Sequence, residues 1–144
     1  MSGLAALLAG HNPPDVYQWH SAANVDDVRH AVEHAGWKFC YLDGWTVEDR
    51  ATFLKTAAAA LDGADPGDSV DALTDCLDSV PCGDHGLVLL WDGWSPLARH
   101  DEDTFSEVLS ACRRRAAARE DAKLAVILRG DGPDLDVPEL PHKH

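Results

Sequence analysis

Residues 86–91 read Gly-Leu-Val-Leu-Leu-Trp and form an almost uninterrupted apolar run, which Asp92 and Gly93 bring to an end. Side chains in a strand point alternately to the two faces of a sheet, so a run without polar positions must be buried on both faces. Sheets that are covered on both faces are typical of parallel α/β folds. The run therefore predicts a central strand of a parallel sheet.

Three further segments have the pattern of strands, and segments with helical periodicity separate them. The predicted strands cover 16–20, 37–42 and 123–128, and the predicted helices cover 24–35, 46–61, 69–80 and 104–119. Helices that connect successive strands imply right-handed crossovers and a parallel sheet. We therefore predict an α/β fold with a small, three- to four-stranded parallel sheet flanked by helices.

Cap residues mark the ends of these predicted helices. Asn24 is predicted to cap the first helix, and Gly36 follows its last residue. Thr46, with Asp49 three residues later, is predicted to open the second helix, and Thr104 is predicted to cap the last one as part of a capping box.

Acidic residues are concentrated in the middle of the chain. Between Thr56 and Ala98 there are eight aspartates and no Lys or Arg. They are Asp62, Asp65, Asp68, Asp71, Asp75, Asp78, Asp84 and Asp92. Apolar runs in the same stretch exclude a disordered acidic tail, so we expect this charge to lie on a folded surface that attracts something basic.

On a helical projection, Asp71, Asp75 and Asp78 of the predicted helix 69–80, together with Asp68 just before it, fall on one side, opposite the apolar residues. Asp68 could cap the helix, and Asp71 benefits from the positive end of the helix dipole. Asp75 and Asp78 lie further along and have no such local explanation. Like charges one turn apart cost about 0.2–0.5 kcal/mol per pair, so stability alone does not favour this arrangement. Two interpretations stay open, a solvated face and a surface for a basic partner.

The overall charge excludes several functions. The chain has 144 residues, a formal net charge of −13 and a pI near 4.7. Phosphates would be repelled, so direct binding of nucleic acid or of an anionic membrane is not expected. No apolar segment is long enough to span a bilayer, and the first ten residues lack the basic start of a secretory signal. A cytoplasmic protein is expected.

Known catalytic and metal-binding patterns are absent from the sequence. There is no P-loop, dinucleotide fingerprint or nucleophile elbow. His30 and His34 are spaced like a metal pair but lack further ligands, and the four cysteines are expected to be reduced thiols. Asp71 and Asp75 could act as an acid–base pair only in a desolvating cleft, which nothing nearby indicates. We therefore expect neither cofactor nor enzymatic activity.

Basic residues cluster late in the last predicted helix. They are Arg113, Arg114, Arg115 and Arg119. Cations near a helix C-terminus are stabilised by the helix dipole, and we prefer this structural account to an anion site.

Residues 70–77 read Val-Asp-Ala-Leu-Thr-Asp-Cys-Leu, and the apolar run 86–91 follows them. This combination resembles the barstar family, which consists of small acidic inhibitors of barnase-type ribonucleases. The resemblance covers roughly 37–129. It implies a barstar-like domain at 37–130, preceded by an extension at 1–36 that contributes a strand and a helix packed on the core, as in longer members. An acidic, Pro-rich tail at 131–144 is expected to be loosely held.

Barstar-like proteins block a basic ribonuclease active site with one helix and the loop before it. By resemblance, Asp71 and Asp75 match the interface aspartates of the family, and Asp75 stands where an RNA phosphate would bind. The predicted partner-binding residues are Asp65, Gly67, Asp68, Asp71, Thr74, Asp75 and Asp78. The expected partner is a basic ribonuclease or another basic protein or toxin, and the free protein is expected to be a monomer.

The sequence also departs from the family pattern. The loop that usually carries an aromatic pair and an Asn reads Ala-Asp-Pro-Gly-Asp-Ser-Val at 64–70, and Thr74 stands at a position that is aromatic in some members. An acidic residue of the family on the last helix aligns near Arg114, which reverses the charge. A diverged binding module for another basic protein, without ribonuclease inhibition, is therefore the alternative to an inhibitor.

Overall fold

The computed structural model describes residues 3–9, 15–20, 24–61, 69–80, 85–118, 123–130, 132, 135 and 137–139. Its elements in chain order are α1 (Gly3–Leu8), β1 (Val16–Trp19), α2 (Val25–His34), β2 (Lys38–Asp43), α3 (Arg50–Ala60), α4 (Val70–Ser79), β3 (Leu87–Asp92), α5 (Ser95–His100), α6 (Glu102–Ala118) and β4 (Leu124–Arg129). The strands form one sheet in the order β1-β4-β3-β2, and all pairs are parallel. The predicted α/β class and parallel sheet are confirmed.

The strand order explains where the helices lie. From β2 to β3 and on to β4 the chain moves across the sheet in one direction, whereas the step from β1 to β2 crosses the whole sheet in the opposite direction. Because parallel crossovers are right-handed, opposite directions place the connecting helices on opposite faces. Helices α3 to α6 therefore cover one face, and α2 covers the other.

Two separate apolar cores match this arrangement. The larger core contains the inner residues of α3, α4 and α6, and it holds an aromatic cluster in which the ring centroids of Phe53 and Trp91 are 4.9 Å apart and those of Trp91 and Phe105 are 5.6 Å apart. The smaller core lies between α1, α2 and the opposite face of the sheet. Every residue of β3 is buried, as the apolar run predicts for a central strand.

The described residues before β2 supply the second helical layer. Strand β1 pairs with β4, and Leu7 and Val32 from α1 and α2 pack over Val88 and Ile127, which are fully buried. Without this layer one face of the two central strands would be open to water. The described part of the proposed extension thus packs on the core.

Helix α2 begins and ends as predicted. The side chain of Asn24 accepts a hydrogen bond from the backbone N–H of Asp26. Gly36, after the helix end, has φ +90°, and a Cβ there would lie 2.8 Å from the His85 ring. Glycine is favoured at this position for both reasons.

Two other predicted helix starts are wrong. Helix α3 begins at Arg50, and its N-cap is Asp49 and not Thr46. The Asp49 carboxylate accepts a hydrogen bond from the backbone N–H of Thr52, in the first turn, at 3.0 Å. Helix α6 begins at Glu102 because the carboxylate of the preceding Asp101 accepts from the N–H of Thr104 at 3.2 Å. The short helix α5 was not predicted.

The C-terminal segment is partly docked. The backbone N–H of Gln18 in β1 donates to the carbonyl of Pro138 at 2.9 Å. Gln18 also forms an isolated parallel β-bridge with Glu139. His20 Nε2 lies 2.9 Å from Glu139 Oε1. The expectation of a loose tail is therefore wrong for 137–139, because the edge strand β1 offers backbone groups that these residues satisfy.

A buried ion pair joins the carboxyl ends of the three strands β2, β3 and β4. Arg129 donates from Nε and Nη2 to the two carboxylate oxygens of Asp92 at 2.6 and 2.8 Å, and the Tyr41 hydroxyl donates to Asp92 Oδ2 at 3.0 Å. The expectation that all eight aspartates of the acidic stretch lie on the surface is therefore wrong for Asp92, which is only 6% exposed.

Removal of residues 1–36 tests whether the second helical layer is required. We expect the chain 37–144 to lose cooperative unfolding and to bind a hydrophobic dye, because Val88, Leu90, Ala125 and Ile127 become exposed. Circular dichroism and dye fluorescence measure this. A shortened chain that unfolds cooperatively at the same temperature as the full chain would contradict the expectation.

Alkaline titration tests the Tyr41 contact. Burial, followed by the hydrogen bond to Asp92, raises the pKa of Tyr41 from 10.0 to about 12. Because the folded-state pKa is raised, the associated stability is present below pH 10 and is lost as the pH rises towards 12. Urea unfolding over this window should show a steeper loss in the wild type than in Tyr41→Phe. Equal losses would contradict this account.

Candidate partner-binding surface

Helix α4 carries the predicted acidic face, and its cap is Ser69. The Ser69 hydroxyl accepts from the N–H of Ala72 at 3.2 Å, so the predicted capping role of Asp68 is wrong. Asp71 lies in the first turn, where the helix dipole favours a carboxylate.

The two sides of α4 differ as the sequence predicts. Leu73, Cys76 and Leu77 are buried against the larger core, while Asp71 and Asp75 are exposed. In the described part of the chain, no Lys, Arg or His side chain forms an ion pair with Asp71 or Asp75. These two carboxylates are one helical turn apart, with a Cβ separation of about 5–6 Å.

Thr74 lies between these carboxylates and is half-buried. Its hydroxyl donates to the carbonyl of Val70 at 3.1 Å. The helix therefore presents no large side chain at this position. The other predicted loop residues, Asp65, Gly67 and Asp68, lie outside the described residues.

Asp78 differs from the other two aspartates because it faces an internal cation. Asp78 Oδ1 is 3.9 Å from Nε of Arg115, which also donates to the carbonyl of Leu77 at 2.9 Å. Arg115 is only 2% exposed, although Asp78 itself is largely open to solvent. Asp78 thus helps to hold α4 against α6, in addition to its predicted role at the surface.

The arginines of the predicted cluster lie in different environments. Arg113 and Arg114 are exposed, whereas Arg115 points into the interface with α4, and Arg119 lies outside the described residues. Helical spacing indicates this burial, because Arg115 falls in the stripe of Val108, Ala111, Cys112 and Ala116. The charge of the cluster alone does not distinguish Arg115 from its exposed neighbours.

A groove of about 660 Å³ runs between α4 and α6 beside the acidic face. It is lined by Arg50, Ser69, Val70, Asp71, Thr74, Ser106, Glu107, Ser110 and Arg114. Arg50 Nη1 is 3.2 Å from Glu107 Oε2 and 3.3 Å from the Thr104 hydroxyl, which ties α3 to α6. The surface around α4 is therefore a groove of mixed charge and not a purely acidic face.

The described residues contain no set of three or more His, Cys, Asp or Glu side chains arranged to hold a metal ion. Among the helices of the same part of the chain, none combines the length and hydrophobicity needed to cross a membrane.

In the described part of the chain, four parallel strands, helices on both faces and a capped acidic helix at the surface define a small α/β protein. The family model described as "Barstar (barnase inhibitor)" matches residues 37–129, which is more than half of the chain. The chain therefore belongs to the barstar family, a family of inhibitors and not of catalysts. No curated protein is similar enough to count as a match. The matched region runs from just before β2 to the end of β4, so β1 and α2 precede it.

Replacement of Arg115 tests how α4 is held. Arg115→Ala should lower the free energy of unfolding by about 2–3 kcal/mol, because a charged hydrogen bond to Leu77 and the packing of the buried side chain are both lost. Arg114→Ala, the exposed neighbour, should change it by less than about 0.5 kcal/mol. Urea unfolding measures both, and equal effects would contradict the structural role of Arg115.

Proposed function

We propose that this protein is a barstar-type inhibitor that blocks the active site of a basic barnase-type ribonuclease with the exposed face of α4. The observation that carries the proposal is the pair Asp71 and Asp75, exposed on successive turns and without an ion pair in the described part of the chain. A ribonuclease cleft that binds RNA phosphates is positively charged, and two carboxylates on one rigid face can occupy it in place of phosphates.

The free protein is prepared for such binding. Since neither Asp71 nor Asp75 has a cationic partner among the described residues, no ion pair in that part of the chain must be broken when a basic cleft approaches. Leu73 and Leu77 anchor the opposite side of α4 in the core, and they are 2% and 1% exposed. A helix that is already ordered loses little conformational entropy on association.

The net charge of −13 supports rapid capture of a basic partner. A long-range field of one sign raises the association rate with an oppositely charged protein, and salt screens it over about 10 Å at 0.1 M ionic strength. In this proposal the inhibitor acts in the cytoplasm, is monomeric until it meets its target and uses no cofactor.

A second candidate is a diverged barstar-like module that binds another basic protein without ribonuclease inhibition. Binding energy at interfaces concentrates in Trp, Tyr and Arg anchors, and Thr74 supplies none at the centre of α4. Arg114 beside the acidic face also differs from a surface that is complementary to a uniformly basic cleft.

A fluorogenic RNA cleavage assay separates the two candidates. The protein is titrated against a panel of barnase-type ribonucleases, barnase among them. The inhibitor proposal expects stoichiometric loss of cleavage for at least one enzyme. No loss of cleavage for any enzyme of the panel would favour the second candidate.

Asp75→Ala tests the position of the binding surface. We expect the inhibition constant to rise at least about 30-fold, which corresponds to the roughly 2 kcal/mol that defines an interface hot spot. Asp27→Ala is the matched control, because it changes the net charge equally but lies on α2, across the sheet from α4.

The control should change inhibition less than about threefold, and the difference between the variants should persist at about 1 M salt, where long-range steering is screened. Equal effects of Asp75→Ala and Asp27→Ala would mean that only the overall charge of the protein matters. That outcome would exclude α4 as the inhibitory surface.

A further inference from the structure

The groove between α4 and α6 has walls of opposite charge. Asp71 lies on the α4 wall, and Arg114 lies on the α6 wall, one helical turn beyond Ser110. Both side chains belong to exposed residues, and in the described part of the chain neither forms an ion pair. They do not pair with each other either, although they line the same groove.

Two of the described charges that line the groove offset each other. Arg50 is bound to Glu107 and to the Thr104 hydroxyl, so the Arg50–Glu107 pair adds no net charge. The remaining charged side chains among the described lining residues are Asp71 and Arg114. A ligand that satisfies both must present a cation towards α4 and an anion towards α6.

We propose that Arg114 is a specificity-determining residue that receives an acidic side chain of the partner protein, next to the basic side chain that contacts Asp71. The occupant of the groove is thus a partner loop that carries a Lys or Arg with an Asp or Glu close by. Ser106 and Ser110 line the same wall and can donate hydrogen bonds to the incoming carboxylate. The inference deepens the proposed function, since it concerns the surface beside α4.

Discrimination is the physical reason for a cation at this position. A chain with a net charge of −13 attracts polycations of many kinds, and attraction alone distinguishes poorly between them. Arg114 repels a uniformly basic surface and attracts a surface whose acidic residue faces it. Specific interfaces commonly combine an attractive contact with such a repulsive element.

Selection from a phage-displayed library of random, disulfide-closed peptide loops tests the inference without a known partner. The full-length protein is the target, and selected loops are measured against the wild type, Arg114→Glu, Arg114→Lys and Arg99→Glu. Arg99 is exposed on α5 outside the groove, so Arg99→Glu matches the charge change of Arg114→Glu. Urea unfolding establishes that each variant is folded.

We expect the selected loops to carry an acidic residue near a basic one. They should bind Arg114→Glu at least about tenfold more weakly, which is about 1.4 kcal/mol, and Arg114→Lys and Arg99→Glu within about threefold of the wild type. Selection of purely basic loops, equal binding to Arg114→Glu, or recovery of no loop would overturn the inference.

The ribonuclease panel separates this inference from the proposed function. Inhibition by the wild type that is unchanged or tighter in Arg114→Glu would overturn the specificity role and leave the inhibitor function intact. If no ribonuclease is inhibited while loops of mixed charge depend on Arg114, the inhibitor function is overturned and the inference is supported.

Discussion

The central strands β3 and β4 are buried on both faces, and the positions of the helices follow from covering both of them. Helices α3 to α6 cover one face, and the right-handed crossover from β1 to β2 carries α2 to the other. In this arrangement the apolar side of α4 packs against α3 and α6. Its acidic side can therefore stay in water without weakening the core. The family-matched region 37–129 contains the whole of this layer, and the preceding residues complete the opposite one.

The sequence predicts the sheet well because its signal is strong and local. An apolar run buried on both faces and strands separated by periodic helices leave few alternatives to a parallel α/β fold. Helix starts are less predictable where several cap-forming residues lie within a few positions. Thr46 and Asp49, or Asp68 and Ser69, are all acceptable caps, and the rest of the fold decides which one is used.

The binding surface is only partly predictable for a related reason. The outward positions of Asp71 and Asp75 follow from helical periodicity, and the structure places both in water. The ion partners of the two other described aspartates of the acidic stretch come from distant segments. Asp92 pairs with Arg129 on β4, and Asp78 faces Arg115 on α6. The charge pattern along the sequence does not distinguish these paired aspartates from the exposed ones that form no described ion pair.

The difference between paired and unpaired aspartates indicates which of them are available to a partner. The paired aspartates join separate elements of the fold, as at the Asp92–Arg129 pair, whereas Asp71 and Asp75 repel each other by about 0.2–0.5 kcal/mol and form no ion pair with a described cation. A solvated face would tolerate this cost but would not need both carboxylates on one face. Binding to a cation would remove the repulsion and add attraction, so the arrangement is consistent with the proposed complex. In that proposal, Arg114 limits which cationic surfaces can form the complex.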